Sequence, residues 1–262
     1  MQATAAWQAA FGVTEFTLYY DRTKRPAKEY RAYNDFVGRL NALLRDATLE
    51  PDAILYYPIY DLWANYLPVA APLKADTQPQ RAQQLVNSFM LRGQWLTTRQ
   101  MPFLIADHEV LASAEVRDGK LWIRDRGFHT IVLPDGVELP EGAAKVVAKF
   151  KADGGQVIPK DMNDRPDGAV RENKRGQSGR LWPPSDRVIL GRFKRDGREI
   201  LLLLNVGAQA YTGGVSVGYP STWWLADPAT GEVRREVYQQ GGIVVSLPAN
   251  ATIVLVGPAG SR

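Results

Sequence analysis

The fold class of the middle of this chain is decided by the stretch from Leu121 to Pro159, LWIRDRGFHTIVLPDGVELPEGAAKVVAKFKADGGQVIP. Residues 130–133, Thr-Ile-Val-Leu, are β-branched or apolar and predict a buried strand. Between Glu141 and Lys151 apolar residues recur at helical spacing, at Ala143, Val146, Val147 and Phe150. Gly154 and Gly155 suit a helix end, and residues 156–158 predict a second strand. Strand, helix and strand with short connections require a parallel sheet covered by helices, which is an α/β fold.

The chain on the N-terminal side of this unit predicts further alternating elements. These are a helix over Ala27–Arg45, a strand over Ala53–Pro58, a helix over Pro79–Thr98 and a strand over Pro102–Ala106. Between them, Ile59–Asp76 holds aromatic residues and two prolines and predicts a long loop. We therefore expect a small flavodoxin-like α/β domain over residues 49–160.

The first residues predict a helix end followed by an isolated strand. Ala5 to Ala10 are typical of a helix, Gly12 ends it, and Val13–Tyr20 predicts a core strand. A core strand needs neighbours on both sides. Either it joins the later sheet, or its partners lie in sequence outside this chain.

The C-terminal part is predicted to be all β. Residues 160–184 are polar and rich in Pro and Gly, which predicts a linker over 161–185. From Asp186 onward, short apolar strands alternate with turn residues at intervals of about 8–12 residues. This pattern predicts an antiparallel β-sandwich over residues 186–262.

The composition restricts the function classes. The 262 residues are 45% hydrophobic and 23% charged, which excludes a disordered chain or a coiled coil. The net charge of +4 comes from dispersed basic residues with almost as many acidic ones, so we expect no nucleic-acid partner. The absence of cysteine excludes disulfides, thiolate metal sites and a cysteine nucleophile.

The sequence also predicts no membrane partner. No stretch approaches the roughly 18 apolar residues of a membrane span. Residues 1–10 lack the basic start and long apolar core of a signal peptide. If Met1 is the native start, these features predict a cytoplasmic protein.

Six segments together resemble the C-terminal part of large bacterial glycoside hydrolases, of the alpha-L-rhamnosidase-like and beta-galactosidase-like kinds. They read AFGVTEFTLYYD (10–21), ILYYP (54–58), TIVLPD (130–135), GGQVI (154–158), LLLLNVG (201–207) and WWLADPATGEV (223–233). In those enzymes a (β/α)₈ barrel carries the catalytic carboxylates, followed by an amidotransferase-like domain and a β-sandwich.

The resemblance implies a domain assignment for this chain. Residues 1–48 would be the last strand and helix of the barrel, and 49–160 the amidotransferase-like domain. Most of the barrel would lie outside this chain, so the chain would be a fragment, a misassigned reading frame or a naturally reduced protein. The barrel could then be supplied by another chain, or the protein could form a homo-oligomer. An amidotransferase activity is excluded, because the thiol nucleophile is missing.

Glycoside hydrolysis needs two carboxyl groups on opposite sides of a sugar. The candidate catalytic residues are Asp61 in the aromatic loop, and Asp107 and Glu109 after the second strand. Asp21, at the end of the first predicted strand, is a candidate substrate-binding residue. All four follow strand ends, where α/β proteins place their sites. The alternative is that Asp21 and Asp107 cap helices or brace turns.

The aromatic loop supplies candidates for sugar stacking. Tyr60, Trp63 and Tyr66 could pack on the CH face of a sugar, or they could fill a seam between domains. His108 could act as an acid/base or bind a hydroxyl, whereas His129 is expected to be structural.

Other ligand classes have little support. No HExxH, GxGxxG or GxxxxGK[ST] motif occurs, and no GxSxG elbow joins a predicted strand to a predicted helix, so we expect no metal, no nucleotide cofactor and no serine triad. In the β part, the segment from Tyr211 to Gly214 or the Trp223–Trp224 pair could bind carbohydrate. Successive strand residues face opposite ways, so the pair is expected to divide between core and surface.

The leading hypothesis is a glycoside hydrolase, or a fragment of one, that cleaves O-glycosidic bonds of galactoside- or rhamnoside-type oligosaccharides by carboxylate acid/base chemistry. The alternative is a non-catalytic accessory or carbohydrate-binding module of such an enzyme. A third reading is a partner-binding module whose aromatic loop is the interface.

Overall fold

The computed structural model describes residues 1–17, 22–69, 71–158, 178–218, 220–239 and 241–259. The α-helices are α1 (Gln2–Ala10), α2 (Ala27–Leu44), α3 (Ile59–Asn65), α4 (Gln80–Thr97), α5 (His108–Ala112) and α6 (Glu141–Ala152). The first eight strands are β1 (Thr48–Leu49), β2 (Ala53–Tyr56), β3 (Phe103–Ala106), β4 (Glu115–Arg117), β5 (Lys120–Ile123), β6 (Arg126–Phe128), β7 (Thr130–Val132) and β8 (Gln156–Ile158). The later strands are β9 (Leu181–Trp182), β10 (Val188–Arg195), β11 (Arg198–Asn205), β12 (Tyr211–Ser216), β13 (Thr222–Ala226), β14 (Val233–Val237), β15 (Gly242–Leu247) and β16 (Thr252–Val256).

The chain divides into two compact units. One comprises residues 1–50, 97–102 and 173–262, and the other comprises residues 51–96 and 103–172. We call them the β unit and the α/β unit. The chain thus combines helices with parallel and antiparallel sheets, which is a mixed α/β class.

The α/β unit is built on a parallel sheet in the order β3-β2-β7-β8. Its core includes the fully buried Tyr56, Phe128 and Phe150. The strand, helix and strand predicted between residues 130 and 158 are confirmed by β7, α6 and β8. Phe150, on the inner face of α6, packs into this core as its helical spacing predicts. A small antiparallel sheet, β4-β5-β6, completes the unit.

The β unit contains a six-stranded antiparallel sheet, β1-β10-β11-β16-β13-β14, and a three-stranded one, β15-β12-β9. Alternate residues of both sheets enter one hydrophobic core, including Leu201, Val215 and Trp223. Trp223 is fully buried and Trp224 is partly exposed, so the predicted division of this pair between core and surface is confirmed. Within the predicted linker, residues 161–177 lie outside the described residues, whereas Leu181 and Trp182 form β9.

The N-terminal helix packs on the β unit. A Cβ atom at Gly191 of β10 would lie 2.7 Å from the Cα of Ala10 in α1, so this close approach requires glycine. The predicted strand over Val13–Tyr20 is wrong for residues 13–17, which have no regular secondary structure. Residues 18–20 lie outside the described residues. Among the described helices, none has the length and apolar character needed to cross a membrane.

Candidate functional site

The candidate site lies at the carboxyl edge of the parallel sheet. The neighbouring strands β2 and β3 run in the same direction, and each is followed by a short helix, α3 and α5. This topology places the ring of His108, at the start of α5, near two aromatic rings of α3. Its centroid is 5.3 Å from that of Tyr60 and 6.3 Å from that of Trp63. Three of the residues predicted to bind substrate are therefore brought together.

Helix α3 corrects the prediction of a long irregular loop. Residues 59–65 are helical, with the Leu62 N–H donating to the Pro58 carbonyl at 3.0 Å. Asn65 secures the helix by donating from Nδ2 to the carbonyl of Asp61 at 2.8 Å. The helix buries the side chain of Asp61 and leaves 67% of Trp63 exposed. One short helix thus carries both a buried carboxylate and an exposed aromatic face.

The buried carboxylate of Asp61 has the backbone N–H of Glu138 and the guanidinium of Arg81 as polar partners. Both of its carboxylate oxygens accept from the Glu138 N–H at 3.3 Å, and Nη2 of Arg81 lies 3.9 Å from Oδ1. Burial raises the pKa of Asp61, although the Glu138 N–H and the Arg81 charge act in the opposite direction. Arg81 is fixed in turn, because it donates to the Gly136 carbonyl.

Tyr56, the last residue of β2, is fully buried beside this carboxylate. Its hydroxyl has no hydrogen-bond partner among the described residues. Burial raises the pKa of Tyr56 to about 12, and the charges of Asp61 and Asp107 act in the same direction. The site therefore contains an unsatisfied donor close to two acidic groups.

The other predicted carboxylates have different surroundings. Asp107 caps α5 by accepting the Val110 N–H at 2.9 Å, which is the role that the sequence left open as an alternative. Glu109 is exposed in the first turn of α5. Nδ1 of His108 is buried without a hydrogen-bond partner in the described part of the chain. Asp21 lies outside the described residues, so its predicted role stays a prediction.

A cavity of about 420 Å³ opens beside α3. Trp63 and Tyr66 line it together with Gln78 and Gln83. The Gln78 side chain accepts the Leu67 N–H at 2.8 Å and donates to the Leu67 carbonyl at 3.2 Å. The remaining lining residues are Tyr57, Ile59, Leu62, Leu73, Lys74, Ala75, Ala82 and Val86. We call this the Trp63 cavity. Its lining is mostly aromatic and aliphatic, with two amide groups and one ammonium group.

A polar network at the end of β7 escaped the sequence prediction. The Asp135 carboxylate accepts from Ser88 Oγ at 2.8 Å and from Arg92 Nη2 at 2.7 Å. The Asp135 N–H donates back to Ser88 Oγ at 2.7 Å. Ser88 and Arg92 are four residues apart on α4, and both are buried. Ser88 and Arg92 share the face of α4 that carries its apolar inner residues. This spacing was the one sequence feature that could have predicted a buried polar network.

The described residues show little sign of a metal centre. Within them, no three His, Asp or Glu side chains are grouped to hold a metal ion.

The second histidine, His129, has a pKa lowered by burial and by the nearby Lys120 charge, with Asp52 acting in the opposite direction.

No family model and no curated protein matches the chain, but solved structures do. The rhamnosidase from Novosphingobium sp. PP1Y aligns with a TM-score of 0.56 at 15% identity, over 94% of this chain and 26% of the enzyme. The beta-galactosidase from Bacillus circulans sp. alkalophilus gives 0.53 at 12% identity, over 88% and 45%. Alpha-L-fucosidase isoenzyme 2 from Paenibacillus thiaminolyticus gives 0.51 at 10%, over 99% and 58%.

The chain resembles parts of large glycoside hydrolases in fold. It spans between about a quarter and somewhat over half of the length of these three proteins. The resemblance predicted from the sequence is confirmed at the level of fold. At such low identity, the flavodoxin-like domain, the barrel remnant and the site residues stay predictions.

Proposed function

We propose that this chain is the carbohydrate-binding part of a glycoside-hydrolase-related protein, and that an oligosaccharide binds in the Trp63 cavity. The observation that carries the proposal is the composition of this cavity, in which Trp63 and Tyr66 lie beside two glutamine side chains. Flat rings pack on the CH face of a sugar, and amides bond to its hydroxyls.

The likeness in fold supports this ligand class. The matched structures are a rhamnosidase, a beta-galactosidase and a fucosidase, so galactoside- or rhamnoside-type oligosaccharides are the first to test. The strand order of the parallel sheet also supports the flavodoxin-like arrangement. Numbered along the chain, its four strands are ordered 2-1-3-4, and ligands of such sheets bind outside the carboxyl ends of the strands.

The test is calorimetric titration of the purified protein with a galactan oligosaccharide and a rhamnose-containing oligosaccharide. Trp63→Ala should weaken binding about tenfold or more, because a stacked aromatic ring is removed. Met90→Ala is the matched control, since Met90 is a large exposed apolar residue of the same unit that does not line the cavity. Equal affinity in the wild-type protein and Trp63→Ala would contradict the proposal.

Catalysis is the second candidate, because Asp61, which is buried, and Asp107 follow the carboxyl ends of the neighbouring strands β2 and β3. Burial raises the pKa of Asp61, which is the direction that a general acid of a glycosidase needs. Asp61 would be the acid, and Asp107 or Glu109 the second carboxylate. Hydrolysis of nitrophenyl glycosides that Asp61→Asn abolishes would support this reading. Equal turnover in the variant would exclude Asp61.

A further inference from the structure

The smaller sheet of the β unit carries a second flat aromatic surface. Trp182 of β9 pairs with Gly214 of β12, which pairs in turn with Val244 of β15. Cross-strand partners point to the same face of a sheet. Gly214 is outside the core cluster, whereas its neighbour Val215 is inside it. The indole of Trp182 therefore lies on the outer face of this sheet.

Two glycines let this indole lie flat. A Cβ atom at Gly214 would overlap Cζ2 and Cε2 of Trp182, and one at Gly242 would overlap Cη2. The six-membered ring thus rests directly on the backbone of two neighbouring strands. Any side chain at these two positions would push the ring away from the backbone. We call Gly214 and Gly242 the glycine floor.

The side of the ring that faces away from the sheet is accessible. Trp182 is 37% exposed, and one side of its ring is covered by the glycine floor. On the same face, Thr212 pairs with Ser246, and both are exposed. Val244 is also exposed. The surface is one ring wide, apolar at its centre and edged by hydroxyl groups. We call Trp182, Gly214, Gly242, Val244, Thr212 and Ser246 the Trp182 platform.

From this geometry we propose that the Trp182 platform is a second carbohydrate-binding site, which takes one pyranose unit of an oligosaccharide. A pyranose ring presents a face of CH groups that matches one indole in size, with hydroxyls at its edge that meet the serine and threonine side chains. A stable protein partner needs about 800 Å² on each side. Trp182 and Val244 are the large exposed apolar residues at the outer positions of these strands, which suits a single sugar ring better.

The ring is also held in place before binding. A stacking side chain that must be ordered on binding loses conformational entropy, which lowers the affinity. The glycine floor removes much of this cost for Trp182. The platform lies in the β unit, whereas the Trp63 cavity lies in the α/β unit.

The test is calorimetric titration of the Trp63→Ala protein, in which binding at the first site is weakened about tenfold or more, with the galactan and the rhamnose-containing oligosaccharides. We expect one bound oligosaccharide per chain. Adding Trp182→Ala should weaken that binding about tenfold or more, whereas adding Trp182→Phe should preserve part of it. No binding to the Trp63→Ala protein would overturn the proposal without touching the Trp63 cavity.

The matched control is Trp224→Ala. Trp224 is 38% exposed, but the Arg235 guanidinium carbon lies 4.9 Å from its ring centroid, so its ring already has a partner. This variant should bind the oligosaccharide as tightly as its parent. Equal losses in the Trp182 and Trp224 variants would overturn the proposal. A thermal unfolding curve shows whether each variant is folded at the titration temperature.

Discussion

Replacing Asp135 by alanine should destabilise the α/β unit markedly. The side chain of Arg92 is only 5% exposed and its charge is bonded to Asp135 at 2.7 Å. Removing one partner of a fully buried ion pair costs about 3–5 kcal/mol, because the other charge stays buried. Asp135 is itself 41% exposed, so water screens part of this interaction. We therefore expect a loss of about 2 kcal/mol in the free energy of unfolding.

The assay is urea unfolding followed by circular dichroism. A loss of this size lowers the midpoint by about 1 M if the slope is near 2 kcal/mol/M. Asp135→Asn keeps an acceptor for Ser88 but removes the charge, so its loss should fall between those of the wild type and Asp135→Ala. Lys145→Ala is the matched control, because it breaks the exposed Lys145–Glu141 pair and should cost at most about 0.5 kcal/mol.

The reasoning would be refuted if Asp135→Ala unfolded within about 0.5 kcal/mol of the wild type. Such a result would mean that Arg92 is stabilised without Asp135. A change in the slope of the transition would instead indicate a change in the unfolded state. The free energies of unfolding of the wild type and Asp135→Ala are therefore compared only if the two urea transitions have the same slope.

Three further substitutions test other parts of the structure. Asp61→Asn should gain stability relative to the wild type as the pH rises above about 4, because the unfolded chain releases its Asp61 proton before the folded chain does; urea midpoints across the pH range measure this. Tyr56→Phe should be neutral or stabilising by about 1 kcal/mol in urea unfolding, because it removes a buried hydroxyl with no partner among the described residues. Gly191→Ala should cost about 1–3 kcal/mol, because the new methyl group meets Ala10.

A specific result would contradict each of these three predictions. A parallel pH dependence of the Asp61→Asn variant and the wild type would show that Asp61 titrates normally. A loss above about 1 kcal/mol for Tyr56→Phe would show that the hydroxyl makes a hydrogen bond. For Gly191→Ala the control is Gly38→Ala, where nothing lies within 4 Å of the new methyl group. It should be stabilising by up to about 1 kcal/mol in helix α2, and equal effects of the two would contradict the steric argument.

Much of the fold follows from local sequence patterns. Residues 141–152 form a helix because apolar residues repeat along one face, and Gly154 with φ of 90° lies just beyond its end. The long helix α4 and strand β3 were predicted within one residue at each end. These elements have a strong period and clear end signals, so the sequence suffices to locate them.

The elements that the sequence did not predict are those whose secondary structure depends on tertiary contacts. Helix α3 is only seven residues long, too short for a periodic signal, and its flanking prolines favoured a loop. Strand β1 exists because Thr48 and Leu49 pair with β10, about 145 residues further on. No local pattern predicts such a long-range pairing.

The site was predicted in part. The sequence indicated Tyr60, Trp63 and His108, because they follow strand ends, and the structure brings them together. It gave no indication of Trp182, since stacking on Gly214 depends on the pairing of strands that are distant in sequence. Sequence patterns locate the carboxyl edge of a parallel sheet, but they do not show which aromatic side chains stack on the backbone of a neighbouring strand.

The most direct test of the central claim follows the indole N–H signal of Trp63 by NMR during titration with the galactan and rhamnose-containing oligosaccharides. The chain has seven tryptophans, and the Trp63→Phe variant identifies the signal. Carbohydrate binding in the Trp63 cavity predicts a saturable shift of this signal, whereas the signal of the buried Trp223 stays in place. A Trp63 signal that does not move with either sugar at millimolar concentration would contradict the account.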